Sequence, residues 1–193
     1  IFLKRFLIKY LYFLILYYLK PKTLKKFERV LHLFRNEDIL EIGGPSRFFK
    51  KNIPIYQVAR NIDGVNFSNK TTWEGNIKLG TTYNYYGKKL GEQFICEASN
   101  LCLNKKYNSI ISSNCLEHIA NPIKAISNWL DHLNDYGVLF LVLPRKDSNF
   151  DWRRPDTTFE HIFDDYKNNI DEDDLTSLDE IIKFHDFEKD CGL

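Results

Sequence analysis

ILEIGGPSRF, at Ile39–Phe48, is the stretch that decides the fold. It is an apolar strand with an acid near its tip, running straight into a glycine turn. In an open α/β sheet, ligands bind at the carboxyl ends of the strands, where the first turn offers backbone N–H groups and a helix N-terminus. Gly43 and Gly44 meet that need, because they take positive φ and let a ligand come close to the backbone. Glu41, at the strand tip, is placed to accept hydrogen bonds or to face a cationic group. Asp63, about 20 residues downstream, is the candidate acid for ribose hydroxyls beyond a second strand. The glycine-rich fingerprint of dinucleotide sites is broken, because Pro45 stands where its second glycine belongs.

Outward from this stretch the pattern alternates. Thr23–Phe34 has helical spacing at Leu24, Phe27, Val30, Leu31 and Phe34. Asp38–Ile42 reads as a buried parallel strand, Ser46–Lys51 as the start of a helix, Ile55–Ala59 as a second strand and Asp63-Gly64 as a turn. Residues 66–91 show no clear period and read as an irregular excursion over the sheet. Its Trp73, Tyr83, Tyr85 and Tyr86 are candidates to stack on substrate, with loop packing as the plainer alternative. Phe94–Glu97 and Ser109–Ser113 are short strands. Pro122–Leu133 is a helix whose apolar face includes Trp129, a core residue. Asn134–Gly137 is a turn, and Val138–Leu143 a central strand ended by Pro144. Thr157–Tyr166 and Asp174–Asp190 complete the helices. Strands alternating with helices mean a doubly wound, mostly parallel sheet of the Rossmann-like α/β class, here with five strands.

Composition frames this reading. The 193 residues, 44% of them hydrophobic, suit one α/β domain with its own core. A formal charge of +1 hides a polarity: residues 1–36 carry nine Lys/Arg against one Glu, and residues 150–193 fourteen Asp/Glu against five Lys/Arg. The acidic end reads as solvated helix faces. Four cysteines without CxxC pairs or His/Cys ligand spacing indicate neither zinc nor a disulfide framework, and fit reduced thiols in a cytoplasmic protein. Cys96 and Cys115 sit in apolar stretches and read as core. Residues 1–22 form a basic, apolar helix whose uncharged run, Tyr10–Leu19, is about half of the ~20 residues a membrane span needs. Through residues 1–20 it lies on an anionic membrane surface, covers the domain, or packs on a missing neighbour. Nucleic acid is disfavoured, because the basic residues concentrate in this apolar helix instead of a polar stripe with stacking aromatics.

ILEIGGPSRF, CEASNL at Cys96–Leu101, YNSIISSNCLEHIANPIKAISNWLDHL at Tyr107–Leu133 and YGVLFLVLP at Tyr136–Pro144 resemble, in order and spacing, class I S-adenosylmethionine-dependent methyltransferases. The resemblance covers residues 38–144 as a cofactor-binding core and leaves 145–193 as a substrate-side lid segment. It implies that Glu41, Gly43, Gly44 and Pro45 lie at the methionine and ribose part of S-adenosyl-L-methionine. Asp63 would then lie at the ribose hydroxyls, Glu97 and Ala98 at the adenine edge, and Ser113, Asn114 and Leu116 in the loop after the fourth strand. GGPS departs from the family's usual glycine loop. His118 is the leading general base, its plainer role being to cap or orient the loop. Glu117-His118 resembles the end of a metal motif in quinone-biosynthesis O-methyltransferases, but Asn114 replaces the first acid, so no metal is expected.

The segment KDSNFDWRRPDTTFEHIFDDY at Lys146–Tyr166 resembles bacterial methyltransferase domains, some of them associated with glycan assembly, which implies a small-molecule or glycan acceptor methylated at oxygen. Arg153, Arg154 and His161 are the candidate substrate contacts, against a plainer reading in which His161, Asp164 and Asp165 form a solvated face paired with the arginines. His185, Asp186 and Asp190 read as surface charge. With no methionine even at position 1, a stop at CGL and no sign of the two final strands such enzymes carry, the expectation is a fragment with an exposed sheet edge. Two rival functions are a nicotinamide-dependent oxidoreductase and a non-catalytic, membrane-associated domain that keeps the fold.

Overall fold

The sheet grows from the apolar run DILEI, which forms β1 (Asp38–Ile42), buried along most of its length. The computed structural model describes residues 25–71 and 75–191; the expected helix at residues 1–22 and Trp73 lie outside them. Beside β1 lies β2 (Asn61–Asn66), followed by the two-stranded hairpin β3 (Lys70–Thr71) and β4 (Gly75–Asn76), then β5 (Gly80–Tyr86) and β6 (Lys89–Ile95). β7 (Tyr107–Ser113) and β8 (Leu133–Val142) complete the main sheet, whose order is β5-β6-β2-β1-β7-β8. All neighbours are parallel except β5 and β6. The doubly wound α/β class is therefore observed, with six strands where five were expected.

Alternation along β1 sends residues to two cores. Ile39 packs with Phe49, Ile53, Ile55, Tyr56, Ile62 and Tyr83 on one face, and Leu40 and Ile42 with Val65, Tyr107, Ile110, Ala125 and Trp129 on the other. A 3-10 helix (Lys25–Phe34) packs Phe27, Val30 and Leu31 onto the first core and buries Phe34 in it. Short helices α1 (Arg47–Lys51) and α2 (Ile55–Val58) cover the same face. Helix α3 (Pro122–Asp131) covers the other. Ser46 caps α1 by accepting from the Phe48 N–H, and Asn121 caps α3 by accepting from the Lys124 N–H. Beyond β8 follow α4 (Phe159–Lys167), α5 (Leu178–Phe184) and α6 (Phe187–Cys191).

Four expectations are corrected. Ile55–Ala59 is not a strand, because Pro54 starts a helical turn there that buries Ile55 and Tyr56. The second strand is the polar-looking NIDGVN, which runs between β1 and β6 and contains Asp63-Gly64 in its interior instead of a turn. Within residues 66–91 most of the described residues are strand, not an irregular excursion: TTYNYY alternates, with Tyr83 and Tyr85 buried and Thr82 and Asn84 outward. The helix expected at Asp174–Asp190 is two, parted at His185 and Asp186. The turn at Asn134–Gly137 exists as a bulge inside β8, where the partner of β7 jumps from Leu133 to Val138 and Tyr136 takes φ 62°.

Candidate active site

Glu41 is the last but one residue of β1, and its side chain is wholly buried on the face opposite Leu40 and Ile42. Its carboxylate accepts the Tyr83 hydroxyl at 2.7 Å and the Ser46 N–H at 2.9 Å, and the Tyr56 hydroxyl lies 2.8 and 2.6 Å from its two oxygens. Three charge-assisted hydrogen bonds thus offset the desolvation of the acid. Burial, followed by the charge and hydrogen bond of Glu41, pushes the Tyr56 phenol far above its ordinary range, so it stays protonated as a donor. The carboxylate accepts these hydrogen bonds and ties the turn at Gly43–Ser46 to its strand.

Room for this cluster comes from two glycines. A methyl group on Gly64, which pairs with Glu41 across the sheet, would overlap the Tyr83 ring, and one on Gly44 would overlap the Tyr83 hydroxyl and the Glu41 carboxyl. Gly43 takes φ 75°, and a Cβ there would sit 2.8 Å from the Cys115 sulfur. The Gly44–Pro45 peptide is cis. Tips of neighbouring strands close on this turn. The Gly43 N–H donates to the Val65 carbonyl, the Asn66 amide donates to the Gly44 carbonyl at 3.1 Å, and the Ser112 hydroxyl donates to the Ile42 carbonyl.

Asp63 is not among these tips. It lies three residues before the end of β2, where it accepts from Lys105 at 2.8 Å, the Tyr107 hydroxyl at 3.0 Å, the Asn61 amide and the Glu92 N–H. Burial pushes its carboxyl up, but these hydrogen bonds and the Lys105 charge outweigh burial and leave it below the usual carboxylate range. The residue at the tip is Asn66, which sequence reasoning passed over because the strand itself was misplaced. Asn66 and Pro45 line a cavity of about 310 Å3 together with Lys78, Tyr83, Asn84 and Gln93, which β5, β6 and the preceding segment supply.

Glu97 and Ala98 follow β6. The Trp129 indole donates to the Ala98 carbonyl at 2.6 Å and the Asn128 side chain accepts from the Leu101 N–H, so α3 fixes this loop. Partial burial and then the charge of Glu172 raise the Glu97 carboxyl. Ser113, the last residue of β7, is buried; beyond it Asn114 is exposed with φ 52°, and Leu116 turns into the core. Cys115 packs beside Gly43, and burial pushes its thiol up to about 11. The His118 side chain is 65% exposed, with Glu117 at 4.0 Å. Glu172, which sequence reasoning also missed, accepts from the Ala120 N–H, and the Asn121 amide donates to the Asp165 and Ile170 carbonyls. These contacts tie the 165–172 segment to the loop carrying His118.

The lid-side candidates lie apart from the turn. Arg153 pairs with Asp186 at 3.0 Å, and Arg154 with Glu180 at 2.9 Å and Asp151 at 3.6 Å. His161 pairs along its own helix with Asp165 at 3.4 Å. The arginines therefore do not pair with Asp164 or Asp165, contrary to expectation. His185 is more than surface charge: its ring nitrogens lie 3.3 Å from Asp151 and Asp190, and its ring packs between Phe150 and Phe187. Among the described residues, no group of three or more His, Cys, Asp or Glu side chains is arranged to hold a metal ion, and no helix is long and apolar enough to cross a membrane.

No curated protein matches the chain. Among solved structures it is similar to a S-adenosylmethionine-dependent methyltransferase from Clostridium acetobutylicum ATCC 824, with 17% identity over 74% of this chain and 58% of that one and a TM-score of 0.46. It is also similar to the plantazolicin methyltransferase BpumL in complex with SAH, with 18% identity over 86% and 62% and a TM-score of 0.42. A third is a DhpI–SAH complex, with 11% identity over 64% and 57% and a TM-score of 0.38. The chain spans less than two thirds of the length of each of these structures. A family model described as a methyltransferase domain matches residues 15–190, most of the chain, which therefore belongs to the methyltransferase domain family.

Proposed function

We propose that this chain binds S-adenosylmethionine across the carboxyl ends of β1, β2, β6 and β7, and that methyl transfer to a hydroxyl of a small-molecule or glycan acceptor takes place there. The observation that carries the reading is the turn at Gly43–Ser46, held from beneath by buried Glu41 and approached by the tips of β2 and β7, in a chain of the methyltransferase domain family. A turn fixed in this way is organised before the ligand arrives, which lowers the cost of binding.

The donor set suits the cofactor. Gly43, Gly44 and Pro45 would face its methionine and ribose part. Asn66 would take the ribose hydroxyls in place of Asp63, since its amide oxygen accepts as a carboxylate does. Glu97 and Ala98 would border the adenine, with Ser113 and Asn114 closing the β7 side. When bound, S-adenosylmethionine supplies a methyl group on a sulfonium, electrophilic without further activation. His118, exposed beside Glu117 in the loop after β7, would accept the proton of the acceptor hydroxyl. Residues 145–191 would form the acceptor side, because they leave the carboxyl end of β8 and are tied to the His118 loop through Asn121 and Ala120. The oxidoreductase alternative is disfavoured by Pro45 at the position a dinucleotide needs open.

Photo-crosslinking with methyl-labelled S-adenosylmethionine and peptide mapping tests the placement. Label is expected on peptides containing Gly43–Ser46 or Ser113–His118, and label confined to other peptides would contradict it. In turnover assays His118→Gln is expected to lower kcat by about a hundredfold or more with the cofactor KM unchanged. An unchanged kcat leaves His118 as a residue that orients its loop.

A further inference from the structure

Gln93 lies two residues before the end of β6 and pairs with Gly64 of β2, so it shares a face of the sheet with Asn66, one strand period beyond Gly64. Gln93 is 4% exposed and Asn66 7%, and both line the cavity of about 310 Å3 beside Pro45. Their amide N–H groups are spent on the backbone. The Gln93 amide donates to the Gly64 carbonyl at 3.2 Å and the Phe94 carbonyl at 2.8 Å, and the Asn66 amide donates to the Gly44 carbonyl. These bonds fix the orientation of both side chains, and neither side-chain oxygen accepts from any described residue. Among the described residues, the Ser109 hydroxyl is the one unpartnered side-chain group shut off from water, so the Asn66 and Gln93 oxygens are open to the cavity their residues line. Two buried acceptors that face one cavity without donors call for a ligand that brings both donors with it.

We propose that Gln93 is a second ribose-binding residue, and that Gln93 and Asn66 together hold the vicinal hydroxyls of the cofactor, each amide oxygen accepting from one hydroxyl. The inference rests on the reading of the turn at Gly43–Ser46 as the S-adenosylmethionine site and adds to it a recognition element on β6. The ribose diol is the part of that cofactor that carries two O–H donors side by side. Other groups fit less well. A phosphate or carboxylate would set its oxygens against two acceptor oxygens, and the Tyr83 hydroxyl in the same lining gives its proton to Glu41. An ammonium would meet the acceptors but also the like charge of Lys78, which lines the cavity too. Lys78 and Asn84, both exposed, supply donors for the hydroxyl oxygens. Because the two acceptors are neutral amides held by backbone carbonyls, a ligand that lacks one hydroxyl leaves one buried oxygen unpaired, and discrimination follows from that loss.

Calorimetric titration of S-adenosylhomocysteine and its 2′-deoxy and 3′-deoxy analogues into the full chain tests this. In the wild-type protein each analogue is expected to bind about tenfold or more weakly than S-adenosylhomocysteine. In Gln93→Leu one analogue is expected to come within about twofold of S-adenosylhomocysteine, because the oxygen it would leave unpaired is gone, while the other keeps its deficit. Gln93→Glu loses the amide donors but keeps an acceptor oxygen, and is expected to keep both deficits, which separates recognition of the diol from support of the Gly64 and Phe94 carbonyls. Full affinity of the wild-type protein for either analogue, or both deficits undiminished in Gln93→Leu, would overturn the proposal. No binding of S-adenosylhomocysteine to the wild-type protein would remove the methyl-transfer reading and the proposal with it, whereas binding without discrimination removes the proposal alone.

Discussion

The turn after β1 and the segment after β8 leave the same edge of the sheet, but they are held by different means. At the turn, a wholly buried carboxylate gathers two phenols and a backbone N–H, brought by α1, α2 and β5 from up to 42 residues away. In the segment after β8, Arg145, Lys146, Arg153, Arg154 and His185 pair with acids that mostly remain in contact with water. Desolvated hydrogen bonds to a charge are strong and unforgiving, whereas exposed ion pairs are weak and exchangeable. The first arrangement suits a cofactor site that must be the same in every turnover. The second suits a surface whose contacts can rearrange.

The contrast breaks most visibly at Glu41. Glu41→Ala strips an acceptor from two buried hydroxyls and the Ser46 N–H, and is expected to cost about 3–5 kcal/mol in urea denaturation. Next comes Gly64→Ala, whose new methyl group displaces Tyr83 and so loosens Glu41 from the far side. A loss of about 1–3 kcal/mol is expected, with weaker cofactor binding at a site the substitution does not touch.

Asp63→Asn removes a buried acid from the other core, with an expected loss of about 1–3 kcal/mol at neutral pH. Its folded carboxyl lies below its unfolded value, so its contribution is present above the unfolded pKa of about 3.9 and is lost as pH falls through the lower folded value. The wild-type protein should therefore lose more stability than Asp63→Asn on acidification below about pH 4; equal slopes would show that Asp63 is not the group responsible. Arg154→Ala closes the series, with no more than about 1 kcal/mol expected, because its pairs with Glu180 and Asp151 are partly exposed.

The same contrast explains what was legible in the sequence. β1, β7 and α3 could be read because β1 and β7 are short apolar runs buried on both faces and α3 carries its apolar residues at helical spacing, while Gly43-Gly44 marks the turn and Ser46 the helix that follows it. β2 could not: NIDGVN looks like a turn, and the burial of Asp63 depends on partners that include Lys105 and Tyr107, 42 and 44 residues away. Once the strand is located, Asn66 takes the tip position that Asp63 had been given. Tyr83 reads from the sequence as an aromatic in a loop, while its link to Glu41 depends on a pairing between β5 and β6 that TTYNYY signals only through its alternation. The pairing of Arg153 and Arg154 with Asp186 and Glu180 was unreadable for a different reason, since so many acids stand in residues 150–193 that spacing alone selects none of them.

Calorimetric titration of S-adenosylmethionine into the full chain, run beside Glu41→Ala at a temperature where that variant remains folded, tests the central claim most directly. Saturable binding to the wild-type protein, and affinity at least about tenfold weaker in the variant, is the predicted result. No heat of binding at millimolar cofactor, or binding of equal strength in both proteins, would contradict the claim that the turn Glu41 holds is the cofactor site.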